Sequence, residues 1–220
     1  MAKIVWDQTG ERLFETGVRQ GVLYPLQSDG KYSLGVPWNG LTAITESPSG
    51  AESTALYADD IKYLNLMSAE EFGGTIEAYM YPDEFKTCIG EADIVAGVSV
   101  GQQARTIFGM CYRTAIGNDV DGNEHGYKLH LVYGAQASVS DKAYGTINDS
   151  PEAITFSWEF STTPVNVTGF KPTALVTIDS TKCDKAKLAA VEAKLYGSES
   201  EEPCLLLPDE IKALMTGEEG

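Results

Sequence analysis

Between Arg105 and Ala137 large apolar side chains fall on every second residue, a spacing that suits an extended strand and no helix. Thr106, Phe108, Met110, Tyr112 and Ile116 share one parity, with Arg105 and Arg113 on the other. Tyr127, Leu129, Leu131, Tyr133, Ala135 and Ala137 then alternate with Lys128, His130, Val132 and Gln136. Each run reads as a half-buried strand, and the polar stretch Gly117 to Gly126 reads as a long hairpin connection. Ile154, Phe156, Trp158 and Phe160, opposed by Thr155, Ser157, Glu159 and Ser161, give a third strand. Ala174, Val176 and Ile178 after Lys171-Pro172 give a fourth, and Gly21 to Pro25 and Thr75 to Tyr81 add two more.

Helical signals are few. Thr181 and Asp184 fit a capping box before Leu188, Val191 and Leu195, which recur at helical spacing until Gly197. Pro82-Asp-Glu-Phe and Pro208-Asp-Glu-Ile each open a short helix. The expected architecture is therefore mainly β, with few helices and the last of them in C-terminal segments. Residues 1–180 are expected to form a β-rich domain and residues 181–220 a helical appendage, within which the acidic stretch from Gly197 to Pro203 is linker-like.

Thirty-two acids against 16 bases give a net charge of -16, which disfavours a surface that grips phosphate backbones. The excess is spread along the chain instead of gathered in one tail. No apolar run reaches the ~20 residues that span a bilayer, and the first residues lack a secretion signal's apolar core, so synthesis in the cytoplasm is expected. Cys88, Cys111, Cys183 and Cys204 are widely spaced, without a metal-binding pattern, and read as four reduced thiols.

Short patterns that carry chemistry elsewhere lack their context here. Gly97-Val-Ser-Val-Gly101 matches the nucleophile elbow of hydrolases, but an alternating strand follows it where a helix is required. Asn118 to Glu124 hints at a calcium loop, yet with Gly122 in the glycine place the first and last ligand positions would be Gly117 and Lys128. Glu159 beside Trp158 is the best acid for glycoside chemistry, although Trp158 shares the core parity of Phe156 and Phe160. Asp59-Asp60 reads as a bulge or bend between Leu56 and Ile61. Asn148 and Asn166 sit in glycosylation sequons without an export signal to give them meaning. No catalytic residue, cofactor or metal is expected. A binding or structural role becomes the default, with a carbohydrate-binding or hydrolytic β-sandwich as the alternative.

Longer strings point to one family. The segments Trp38 to Leu64 (WNGLTAITESPSGAESTALYADDIKYL), Ser68 to Tyr79 (SAEEFGGTIEAY) and Tyr81 to Phe85 closely resemble the major tail tube proteins of bacteriophages with long, non-contractile tails. Phe108 to Arg113, Gly126 to Gly134 and Thr146 to Glu159 resemble later segments of the same family in the same order. The resemblance implies a tail-tube-type β-sandwich or barrel-like subunit with a flanking short helix, a virion structural protein whose hexameric rings stack into the hollow tube that conducts DNA to the host cell. Its partners would be further copies of itself and other tail proteins such as the tape measure, tail tip and terminator, with DNA only as passing cargo. An acidic lumen would suit that cargo, because DNA must not be held by counterion-releasing contacts.

The resembling family reaches neighbouring subunits with an extended loop in the first part of its chain. Leu41 to Ser53 is the matching stretch here, where Pro48 and Gly50 oppose regular pairing. Glu46, Ser47, Pro48, Ser49, Gly50, Ala51, Glu52 and Ser53 are accordingly expected to form a subunit contact.

Overall fold

The even-numbered side chains of Phe108, Met110 and Tyr112 do share one buried face, as their spacing requires. In the computed structural model, which describes residues 3–147, 149 and 152–217, they line the inside of a strongly curled sheet. Asn148, the first of the two sequon asparagines, lies outside the described residues.

In chain order the elements are β1 (Phe14–Pro25), β2 (Val36–Pro37), β3 (Leu41–Glu46), β4 (Ser49–Gly50), β5 (Ser53–Ala58), β6 (Ile61–Met67), β7 (Glu70–Glu71) and β8 (Gly73–Ala78). The short helix α1 (Phe85–Cys88) precedes β9 (Ala92–Val95), β10 (Val98–Val100), β11 (Phe108–Asn118), β12 (Gly122–Ala137), β13 (Phe156–Thr162) and β14 (Leu175–Asp179). Helices α2 (Lys185–Tyr196) and α3 (Pro208–Thr216) close the chain. The main sheet runs β2-β1-β11-β12-β13-β8-β3, with β14 on β12, and every pairing is antiparallel. Its ends curl toward each other. The Trp38 N–H donates to the Gly21 carbonyl at 2.8 Å, and a Cβ at Gly21 would stand 2.9 Å from the Leu41 side chain.

The inside is packed with aromatic rings. Phe85, from α1, meets Trp38, Phe108 and Trp158 at centroid distances of 4.5, 5.4 and 5.2 Å, so the short helix plugs one end. The outer face is buried as well. Leu129, Leu131 and Tyr133 pack against Leu188, Val191 and Leu195 of α2 and against Leu205, Leu206 and Ile211. Tyr24 donates its hydroxyl to the carbonyl of Leu195 (2.5 Å), a last-turn acceptor of α2, and Tyr133 donates to that of Leu206 (2.8 Å), just before α3. Arg113 pairs with Glu192 of α2 at 2.7 Å while its guanidinium lies over the rings of Tyr127 and Tyr196.

Four sequence expectations change. The strand is buried on both faces over Leu129 to Tyr133, because the His130 and Val132 side, solvent-facing in a one-sided reading, lines the inside of the sheet while helices cover the Leu129, Leu131 and Tyr133 side. Ala135 and Ala137 also leave the parity of Leu129, Leu131 and Tyr133 for the inside. The cause is a bulge at Gly134, whose φ of +58° lets β12 turn from pairing β14 to pairing β13. The connection from β11 to β12 is short, with Asn118 pairing Gly122 and its side-chain oxygen accepting the amides of Val120 and Asp121. Asp184, not Thr181, caps α2 by accepting from the amides of Ala186 and Lys187, while Thr181 bonds to Asp179. All four cysteines are free thiols, and no helix is long and apolar enough to cross a membrane among the described residues.

Candidate assembly surface

Leu41 to Ala78 forms one long hairpin whose root belongs to the curled sheet and whose outer part stands away from it. β3 and β8 pair inside the sheet. The two chains then continue side by side, with Ser49 and Gly50 opposite Glu71 and Glu70, and Ser53 to Ala58 opposite Met67 to Ile61. Fully extended, residues 47–59 reach at most roughly 40 Å.

Local chemistry explains the tip and the bend. Asp59 and Asp60 have φ of +52° and +60°, the signature of a two-residue type I′ turn that matches strand twist. They are a turn, so of the bulge or bend expected at this point the chain takes the bend. The second turn position favours glycine, so Asp60→Gly should stabilise the hairpin by about 0.5–1 kcal/mol. Amide exchange in β5 and β6 should slow accordingly. Nearer the root, Gly50 has φ of +78° and an added Cβ would lie 2.2 Å from the Ala69 carbonyl oxygen, so only glycine fits.

The expected contact segment Glu46 to Ser53 is thus the proximal strand of this arm and not a free loop. The Ser47 N–H donates to Gly73, Ala51 to Ala69, and Glu52 to the Ser68 hydroxyl, while Ser68 returns a bond to the Glu52 carbonyl. Leu41 to Glu46 is likewise strand, because Pro48 lies beyond β3 and leaves its ladder intact.

The more telling residues lie further out. Register places Thr54, Leu56 and Ala58 on one face with Leu66, Leu64 and Ile61, because the slip at Tyr63 returns Ile61 to the side of Leu64. Leu56, Ile61, Leu64 and Leu66 form an apolar strip that nothing among the described residues covers, and all seven residues of β6 are exposed. Tyr57, Tyr63 and Met67 are also exposed, at 71, 70 and 64%. A two-stranded hairpin is at best marginally stable alone in water, and a clustered apolar face on one marks an interaction surface. Sequence reading missed this strip, although two turn-forming acids between alternating apolar runs was a usable signal.

Further apolar groups stand out elsewhere. Ile4, Val5, Trp6 and Leu13 before β1, and Ile94, Val95 and Val98 on the β9–β10 hairpin, are all exposed.

The patterns that hinted at enzymes are accounted for. Ser99 lies on β10 and donates its hydroxyl to Asp93 of β9, so the elbow pattern is a small hairpin. Trp158 is 2% exposed in the aromatic core while Glu159 points outward, which removes the stacking partner the glycoside alternative needs. The Asn118–Glu124 segment is the hairpin turn already described, and no group of three or more metal-ligating side chains occurs among the described residues.

At the arm's root the inside of the sheet turns polar. His130, 8% exposed, stacks on Tyr112 with ring centroids 4.7 Å apart and planes 3° apart. Its Nε2 lies 2.9 Å from the Thr114 hydroxyl, and its Nδ1 lies 3.3 Å from Glu46, which also accepts the Tyr112 hydroxyl at 2.7 Å. Burial holds the His130 pKa below the ordinary value of 6.5, against the pull of Glu46 and Glu15. The unfolded chain therefore takes up this proton first as pH falls. The stability of the neutral imidazole is fully present above about 6.5 and drains away as pH falls toward the folded value. Urea unfolding of wild type and His130→Gln should show a gap that narrows between pH 7.5 and 5.

No family model and no curated protein matches this sequence. Among solved structures the chain is similar to one in the sheath–tube complex of an extracellular contractile injection system, PVC, in the extended state. The TM-score is 0.31 at 11% identity, over 73% of this chain and 88% of that one. It is also similar to the sheath/tube terminator of that system, at a TM-score of 0.29 and 9% identity, over 80% of this chain and 99% of the other.

Proposed function

We propose that this protein is the repeating subunit of a tail tube of the long, non-contractile kind, assembling as hexameric rings that stack into a hollow conduit for DNA. The observation that carries the reading is the arm, a long hairpin with an uncovered apolar strip. Such a surface has no use in a lone subunit and a direct use in a heterologous contact with the next copy, repeated without closing along an axis. The ordered resemblance of Trp38 to Glu159 to the family supports the same role. Glu46 to Ser53 form the root of that contact and Leu56, Ile61, Leu64 and Leu66 its buried strip.

The acidity spread along the chain suits a lumen that lets DNA slide. Tape measure, tail tip and terminator proteins are the partners at the tube's axis and ends, and the product is a component of the virion.

Sedimentation velocity tests the reading. Mass should rise from single subunits to long polymers as concentration increases, and Ser99→Ala should leave that behaviour unchanged. A single 23.7 kDa species at every concentration would count against assembly.

A further inference from the structure

Two uncovered apolar segments leave the curled sheet at neighbouring points. The arm departs after Glu46, the last residue of β3, and the N-terminal segment with Ile4, Val5, Trp6 and Leu13 enters at Glu15, the second residue of β1. No backbone ladder joins β1 to β3 among the described residues, since β2 pairs only with Val22 and Leu23 of β1. Side chains bridge the gap instead.

The bridge is continuous. The Thr114 hydroxyl donates to Glu15 at 2.5 Å, and Lys128 pairs with the other oxygen of that carboxylate. Having given its proton to Glu15, Thr114 can only accept from His130, so Nε2 carries the imidazole hydrogen. Nδ1 is then left facing Glu46, buried and without a hydrogen-bond partner, while Tyr112 holds both the imidazole plane and the Glu46 carboxylate. His130 touches both halves: it lies 3.6 Å from Glu15 on one side and 3.3 Å from Glu46 on the other.

We propose that His130 couples the arm to the N-terminal segment, so that fixing the arm's root in a contact with a second copy also orders the chain entering β1. Taken with the tube reading, on which the assembly clause rests, the device makes the second segment ready to bind only after the first has docked. Two weak contacts would then form in sequence.

The test uses the full chain held below its assembly concentration, with hydrogen exchange read by mass spectrometry on peptides covering residues 3–16. Glu46→Gln, at the arm's root, places a side-chain amide that can donate to the unpartnered Nδ1, and should slow exchange there roughly threefold, the scale expected of neighbours sharing a network. In a His130→Leu background, shown to be folded by circular dichroism, adding Glu46→Gln should change nothing further. Tyr112→Phe, which removes the donor to Glu46 and keeps the ring stack, should speed exchange instead and serves where His130→Leu fails to fold. Unchanged exchange in Glu46→Gln and Tyr112→Phe would overturn the coupling, as would an equal response with and without His130. Because the readout is taken on unassembled protein, it does not depend on whether tubes form.

Discussion

Replacing Ser53–Met67 by Asn-Gly should yield a protein that folds normally and forms no tubes. Glu52 and Ser68 already face each other through two hydrogen bonds, so a two-residue type I′ turn can join them without disturbing β4, β7 or the root. None of the removed residues belongs to either core cluster. The melting temperature should therefore stay within about 3 °C of wild type, since a loss of 1 kcal/mol shifts a domain of this size by about 2–4 °C. Pelletable polymer should disappear entirely, because the apolar strip and the tip are gone. Tubes of normal length from this variant would show that the arm is not the connector, and loss of folding would place it in the core.

Gly134→Val should have the largest effect on the isolated subunit. Its Cβ would meet the Thr163 carbonyl oxygen at 2.2 Å, in backbone against backbone, at a φ of +58° that a β-branched residue does not adopt. The position cannot shift freely, since its amide donates to the Tyr32 hydroxyl and its carbonyl accepts from Thr163, both at 2.9 Å. Losing the bulge would also turn Ala135 and Ala137 out of the core. Destabilisation of about 4 kcal/mol or more is expected in urea unfolding, enough to consume a large share of a domain's stability. Gly101→Ala, with no atom within 4 Å of its added Cβ and no positive φ, should be close to neutral.

The mainly β character, and most strands with it, was legible because a two-residue period is a local property: Phe108 to Tyr112 and Phe156 to Phe160 kept the faces their spacing implied. What failed to show depended on distant partners. Nothing near Lys128 or His130 announces that their face lines the inside of the sheet while helices from residues 185–216 take the other, so β12 reads as half-buried when both its faces are filled. The bulge at Gly134 is written in one glycine within an apparently regular alternation, and its consequence appears only where Ala135 meets Thr162. The candidate site was half legible. Glu46 to Ser53 belong to the arm, but Pro48 and Gly50 disguised two short paired strands as a loop, and the apolar strip beyond them requires knowing that Leu56 faces Leu64. The cluster at His130 gathers residues from four strands, so no spacing in the sequence could reveal it.

The central claim is that one chain builds a hollow tube through its arm, and negative-stain microscopy of the purified wild-type protein at rising concentration tests it most directly. The account predicts long hollow tubes of uniform width with a regular ring repeat. Compact single-subunit particles at every concentration, or solid fibres without a lumen, would contradict it.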